Sequence, residues 1–209
     1  MTLQIGLVGR DGILLASDRC RIAIQNGVRT TSQISKYILS GKHVFTFAGD
    51  DVAQEIAEQT VKALDANPFE DPGKAGQRIF NFLGRPVPNP GAVLGIAQGQ
   101  LWHLSFSGTG YSATPISDKI VAGDALNAAV FFSERHYFDL QNSIDGLKKL
   151  AAHMICMGGK LNPAGVQGLE IIVWDRARDT IGRVDDHEIQ ALSDLSEKLD
   201  ADIGRAFAE

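Results

Sequence analysis

The chain has 209 residues, of which 44% are hydrophobic and 22% charged, so its composition is that of a globular protein and excludes a disordered one. Its net charge is −5 and its Lys and Arg residues are scattered, which argues against a nucleic-acid-binding surface. Two cysteines without a CxxC spacing, Cys20 and Cys156, argue against a disulfide framework or a cysteine zinc site and indicate a cytoplasmic protein.

The first fifty residues have the pattern of β-structure. Short apolar runs alternate with turn signals, of which Asp11-Gly12 and Asn26-Gly27 are the clearest. No apolar run approaches the ~20 residues that cross a bilayer, and no signal peptide is recognisable, so we expect no membrane contact. The predicted strands are Gln4–Val8, Ile13–Ala16, Lys36–Leu39 and Val44–Ala48.

The apolar period then changes from two to about 3.6, which predicts helices. A first helix starts near Val52 and ends before Asn67-Pro68, and the proline-rich stretch Arg85–Gly91 is predicted to be a loop. The other predicted helices are Lys74–Leu83, Ala125–Arg135, Ser143–Met157 and a last one over Ile189–Ile203. The other predicted strands are Ala92–Ala97, Leu101–Phe106, Leu169–Trp174 and Ile181–Val184.

Helix pairs therefore alternate with groups of strands that short turns connect. Tight hairpins imply antiparallel pairing, which predicts an α+β fold with helices packed on antiparallel sheets rather than a wound parallel sheet. Nothing in the sequence has the composition of a linker, so we expect one domain over residues 1–209.

Motifs for metals and cofactors are missing from the sequence. The five histidines are dispersed without an HExxH spacing, and Asp185-Asp186-His187-Glu188 is typical of acids at a helix start. No glycine run has the spacing of a phosphate-binding loop. We therefore predict neither a metal nor a cofactor.

Thr2 is the candidate nucleophile. Removal of Met1 would leave Thr2 with a free α-amine beside its own hydroxyl, so that one residue would supply both a nucleophile and a base. An α-amine titrates near ~7.7–8.0, where part of it accepts protons at neutral pH.

The residues around Thr2 carry a resemblance to a known family. Thr2 opens an apolar run, Asp18 follows the next run within Ala-Ser-Asp-Arg, and Lys36 stands in Ile-Ser-Lys-Tyr-Ile. Phe47-Ala48-Gly49 then leads into Asp50-Asp51-Val52 at a helix start. In combination these segments resemble the opening of a proteasome β-type subunit, of the bacterial kind because no propeptide precedes Thr2.

The resemblance implies a four-layer α-β-β-α sandwich of antiparallel sheets, which is the N-terminal-nucleophile hydrolase fold. It implies a catalytic set of Thr2, Asp18, Lys36 and Gly49. Lys36 would lower the pKa of the Thr2 hydroxyl, Asp18 would hold Lys36, and the Gly49 N–H would donate to the oxyanion. It further implies that Phe47, Arg21 and Asp51 contact the substrate, with Phe47 shortening the pocket for the residue before the scissile bond.

Two stretches depart from the family's pattern. Where active members carry Gly-Ser-Gly, this chain has Ala122-Gly123-Asp124 after Val121, and where they carry an Asp and a Ser three residues apart, it has Asn162-Pro163-Ala164-Gly165. Asp124 or Asn162 would have to substitute for the missing side chains.

Three functions stay open at this point. The first is a threonine endopeptidase subunit of a self-compartmentalised ring protease, with Thr2 as nucleophile. The second is a non-catalytic structural subunit of such a ring, and the third is a small-amide hydrolase of the N-terminal-nucleophile class. The partners implied are identical subunits in six- or seven-fold rings, stacked as a double ring, with peptide or unfolded protein as substrate. Nothing in the sequence identifies an ATPase activator.

Overall fold

Groups of strands alternate with helices along the chain, as the changing apolar period predicts. The computed structural model describes residues 2–25, 28–84, 86–123, 126–138 and 142–206. In chain order the elements are β1 (Leu3–Val8), β2 (Gly12–Ser17), β3 (Cys20–Gln25), β4 (Val28–Gln33), β5 (Tyr37–Ser40), β6 (His43–Ala48), α1 (Asp51–Ala66), α2 (Pro72–Phe82), β7 (Val87–Ala97), β8 (Gln100–Gly108), β9 (Gly110–Ile116), β10 (Lys119–Gly123), α3 (Leu126–His136), α4 (Ile144–Leu161), β11 (Glu170–Asp175), β12 (Thr180–Arg183) and α5 (Asp186–Ala206).

The strands form two large antiparallel sheets and one hairpin. The first sheet has the order β10-β1-β2-β11-β12, the second has the order β5-β6-β7-β8-β9, and β3 pairs with β4 alone. Every recorded pairing is antiparallel. The predicted antiparallel α+β class is therefore confirmed.

Three separate apolar clusters define four layers. One cluster joins the first sheet to α3, α4 and α5, and a second joins the second sheet to α1 and α2. The third lies between the two sheets, where Leu15 of β2 packs with Val44 and Leu94 of the second sheet. The molecule is thus an α-β-β-α sandwich, as predicted.

The central strands are covered on both faces, which explains their continuous apolar runs. In β2, Leu14 belongs to the cluster beneath the helices, whereas Ile13 and Leu15 belong to the cluster between the sheets. All residues of β1 and β2 are buried. Thr2 precedes β1 and Asp18 follows β2, so both lie at the same end of this buried strand pair.

The prediction of a loop over Arg85–Gly91 is wrong for most of its length. Strand β7 begins at Val87, and its pairing with β8 shifts register between Val87 and Gly91. Pro88 and Pro90 lie inside this irregularity, where a missing N–H breaks no regular ladder. Arg85 itself lies outside the described residues.

Strands β3, β4, β9 and β10 are not among the predicted elements. All residues of β4 are exposed, so that strand has no apolar face from which a period could be recognised. The predicted turn at Asn26-Gly27 and the predicted helix start at Ala125 lie outside the described residues.

None of the described helices is long and apolar enough to span a membrane. The assignment of residues 1–209 to one domain stays a prediction.

Candidate active site

Antiparallel pairing brings Thr2 and Asp18 together. Because β1 and β2 pair with Gln4 opposite Ser17, the start of β1 lies beside the end of β2. Asp18 is fully buried, and its carboxylate accepts hydrogen bonds from the backbone N–H groups of Leu3 (2.7 Å) and Cys20 (2.8 Å). These bonds satisfy a buried charge and hold its two oxygens in place.

Lys36 bridges Thr2 and Asp18. Its Nζ donates to Thr2 Oγ1 at 2.9 Å and to Asp18 Oδ2 at 2.9 Å, and only 2% of the residue is exposed. Burial lowers the pKa of Lys36 below its ordinary value, and the charge and hydrogen bond of Asp18 oppose that shift in part. A lysine in this state has a neutral amine more often than an exposed lysine does.

Gly49 lies where β6 turns into α1. Its φ of +136° is one that L side chains rarely adopt, and an added Cβ would lie 3.3 Å from both Ala53 Cβ and Gly91 Cα. Asp50 caps the helix, since its carboxylate accepts from the Val52 N–H at 3.0 Å. The junction therefore requires glycine followed by a capping residue.

A cavity of about 270 Å³ opens between these elements. It is lined by six of the seven site residues that the sequence predicts, and the seventh, Asp18, lies behind Lys36. The six lining residues are Thr2, Arg21, Lys36, Phe47, Gly49 and Asp51.

Several further residues of the cavity were not predicted. Cys20, Ile22 and Ala23 belong to the β3–β4 hairpin, which the sequence pattern does not predict because β4 is exposed and has no apolar period. Gln54 belongs to the first turns of α1. Across the cavity rim, Arg21 and Asp51 form an ion pair of 3.2 Å. The catalytic and binding roles of the predicted residues stay predictions.

Solved structures share this architecture over their whole length. Anbu from Yersinia bercovieri, described as an ancestral beta-subunit, matches with a TM-score of 0.71 at 11% identity, covering 100% of this chain and 97% of that chain. Anbu from Hyphomicrobium sp. strain MC1 matches with a TM-score of 0.69 at 13% identity, covering 99% and 97%. Its Gly-1 mutant matches with a TM-score of 0.69 at 12% identity over the whole of both chains. The fold is shared with these proteins.

No protein-family model and no curated protein sequence matches the chain. The assignment by resemblance to the proteasome β-type subunits is wrong, since the solved structures reported above are Anbu proteins, a proteasome-like relative distinct from those subunits. The physical reason is that the motifs behind the resemblance cover the start of one strand, the end of the strand paired with it and one strand–helix junction. Such local geometry belongs to the fold and does not distinguish the branches that share it.

The departures from the proteasomal pattern have a structural counterpart. Gly123 pairs with Leu3 at the end of β10 and has a φ of +107°, and an added Cβ would lie 1.9 Å from the Thr2 carbonyl oxygen. Asn162 is the C-cap of α4 and does not line the cavity. Asp124, the other predicted substitute, lies outside the described residues. Within the described ranges, no group of three His, Cys, Asp or Glu residues is placed to hold a metal ion.

Proposed function

We propose that this chain is a threonine-dependent peptidase that uses Thr2 as its nucleophile once Met1 has been removed. The observation that carries the proposal is the buried contact of Lys36 Nζ with Thr2 Oγ1, 2.9 Å long, backed by Asp18. A nucleophile touching a base that a third group orients is the arrangement from which hydroxyl nucleophiles are activated.

Acylation begins with attack of Thr2 Oγ1 on a peptide carbonyl carbon. The hydroxyl proton passes to the neutral amine of Lys36, whose lowered pKa suits it to this exchange. The sequence alone favoured the α-amine of Thr2 for this step, whereas Lys36 is the group in contact with the hydroxyl. The oxyanion accepts a hydrogen bond from the Gly49 N–H at the start of α1.

Collapse of the tetrahedral intermediate breaks the C–N bond. The leaving amine takes the proton from Lys36, and the acyl group remains on Thr2 as an ester. A water molecule then attacks the ester carbonyl and gives a proton to the adjacent α-amine of Thr2. The acyl C–Oγ1 bond breaks, the protonated α-amine returns that proton to Oγ1, and the acid is released with the hydroxyl restored. This second step is the reason that Met1 must be absent.

We further propose that copies of the chain assemble into six- or seven-fold rings, each copy one domain, in the cytoplasm. The Anbu protein from Yersinia bercovieri, which shares the fold, is described as an ancestral beta-subunit, and a subunit is by definition part of an assembly. The outer helix α5 also presents Leu195, Leu199 and Ile203, each more than two-fifths exposed, at a spacing of four residues. Peptides and unfolded chains are the substrates that a cavity of this size inside a ring would admit.

A non-catalytic ring subunit is the second candidate. One observation favours it: Gly123 beside Thr2 admits no side chain, because an added Cβ would lie 1.9 Å from the Thr2 carbonyl oxygen. Both candidates share the fold and the assembly, so only the chemistry of Thr2 separates them.

Intact mass spectrometry before and after addition of a peptide β-lactone tests the proposal. We expect a purified chain lighter than the encoded one by one Met, and one covalent adduct located on Thr2. Thr2→Ser should retain part of the adduct formation and Thr2→Ala none, whereas Thr31→Ala on the exposed β4 should behave as wild type. An intact Met1 together with no adduct would leave the structural subunit as the function.

A further inference from the structure

Glu170, the first residue of β11, contacts both neighbours of Lys36. Its Oε1 accepts from Ser35 Oγ at 3.0 Å, and its backbone carbonyl accepts from the Tyr37 hydroxyl at 3.3 Å. These contacts join parts of the chain 135 and 133 residues apart. The segment that presents Lys36 is therefore attached on both sides to one residue of the first sheet.

The placement of β11 explains how Glu170 reaches this segment. In the register of β2 with β11, Glu170 lies opposite Ser17, the residue before Asp18. Burial raises the pKa of Tyr37 well above its ordinary value, and the charges of Glu170 and Asp18 add to the shift. Both carboxylates therefore lie close enough to Tyr37 to influence its hydroxyl.

The burial of Glu170 is costly. Only 2% of its side chain is exposed, and its single ion pair among the described residues is with Arg183, whose Nε lies 3.3 Å from Oε1. Its Oε2 is buried without a hydrogen-bond partner in the described part of the chain. An apolar residue would fill such a position at lower cost, because a buried charge needs full compensation to be favourable.

We infer that Glu170 is a positioning residue for the proposed hydrolase: it holds the Ser35–Tyr37 segment so that Lys36 Nζ reaches the hydroxyl of Thr2. The inference rests on the proposed function. Lys36 has a long, flexible side chain, so the position of its amine is well defined only if its backbone is fixed. A displacement of about 1 Å between reacting groups lowers a rate by up to about 100-fold.

The test measures covalent addition of the peptide β-lactone to Thr2 as a function of its concentration, which separates the maximal rate from half-saturation. Glu170→Ala removes the acceptor, and Ser35→Ala removes the donor at an exposed position without leaving a cavity. We expect both variants to lower the maximal rate by about 10- to 100-fold at unchanged half-saturation. Glu170→Gln keeps an oxygen for Ser35 and should stay within a few-fold of wild type.

Ser112→Ala, exposed on the edge strand β9, is the matched control and should change neither parameter. If Glu170→Ala fails to fold, the rates of Ser35→Ala and Glu170→Gln test the positioning role of Glu170. Wild-type rates in Ser35→Ala overturn the inference and leave the proposed function intact, as does a Glu170→Gln rate as low as that of Glu170→Ala. Absence of the adduct in the wild type refutes the proposed function instead, and the inference with it, because there is then no nucleophile to serve.

Discussion

The side chains of Lys36 and Thr2 meet at 2.9 Å, between residues 34 positions apart in the chain. The same Lys36 nitrogen lies 2.9 Å from Asp18 Oδ2. One buried amine therefore links a hydroxyl to a carboxylate, and the competition between burial and the carboxylate sets how readily that amine takes up a proton.

Replacement of Lys36 is expected to stop the chemistry. Lys36→Ala should lower β-lactone addition to Thr2 by about 10²–10⁴-fold, the range that a positioned base contributes. Lys36→Arg should fail as well, because a guanidinium does not give up its proton and is larger. Addition is followed by intact mass spectrometry.

The control for this prediction is Lys42→Ala. Lys42, the other lysine of this region, is exposed and pairs with Asp179 instead of contacting Thr2. Its variant should react as wild type. A reactive Lys36→Arg protein would contradict the role assigned to Lys36.

Loss of the carboxylate at position 18 is expected to make folding depend more strongly on pH. Asp18→Asn leaves the buried Lys36 without its counter-charge, which should cost about 3–5 kcal/mol at neutral pH. Because burial already holds the folded pKa of Lys36 below its unfolded value of 10.5, the unfolded chain binds more protons between the two values. The contribution of Lys36 to the free energy of unfolding therefore rises with pH in the window between those two pKa values.

In Asp18→Asn the window should extend to lower pH, since the opposing carboxylate is gone. Urea unfolding at pH 7 and pH 9.5 should show a larger gain with pH for the variant than for wild type. Asp51→Asn, whose ion pair with Arg21 is exposed, should cost less than about 1 kcal/mol at either pH. Parallel pH curves for Asp18→Asn and wild type would show that the two buried groups are not coupled.

Substitution of Gly49 should harm both folding and reactivity. Gly49→Ala places a Cβ at a φ of +136° and 3.3 Å from Gly91 Cα, which should cost about 1–3 kcal/mol. Displacement of the N–H should also lower β-lactone addition by about 10²–10³-fold, the effect of losing one oxyanion donor. Thermal unfolding and the addition rate are measured on the same sample.

Gly108→Ala separates strain from chemistry. Gly108 also has a positive φ, +59°, but an added Cβ would find nothing within 4 Å. This variant should lose about 1 kcal/mol and react normally. Normal addition by Gly49→Ala would exclude its N–H as the donor.

A smaller residue at position 47 should change which peptides react. Phe47 lines the cavity, and Phe47→Leu should favour β-lactones with a large side chain before the reacting carbonyl by roughly 10-fold over those with Ala there, the lower range for a changed apolar pocket. Rates for the two probes are compared in each variant.

Phe45→Leu is the matched control for Phe47→Leu. Phe45 is fully buried in the same apolar cluster but does not line the cavity. Its variant should be less stable, with an unchanged ratio of the two rates. An equal shift in both variants would show that the pocket for this side chain lies elsewhere.

Much of the architecture could be predicted from local pattern. The runs around Ile5 and Leu15 have the continuous apolar character of strands covered on both faces, and the 3.6-residue period after Val52 predicts α1. The junction at Gly49 and Asp50 could be recognised because the turn and the helix cap depend on those residue types. These features follow from residues that are close in sequence.

Resemblance to known motifs supplied Thr2, Asp18 and Lys36 as candidate site residues, but it assigned them to the wrong branch of the fold. The exposed β4 had no periodic signal, so the sequence did not reveal the wall of the cavity that contains Cys20. Gly123 was recognised as a departure from a motif, not as the residue packed against the Thr2 carbonyl.

Tertiary structure alone decided which residue contacts Ser35 and Tyr37, the two neighbours of Lys36 in the chain. Glu170 reaches the residues on both sides of it only because β11 pairs with β2 in one particular register, and a shift by one residue would turn its side chain to the opposite face of the sheet. Local sequence determines which strands form and which face is apolar. The contacts of Glu170 with Ser35 and Tyr37, in contrast, depend on strand pairing between residues more than a hundred positions apart. No local sequence pattern encodes that pairing.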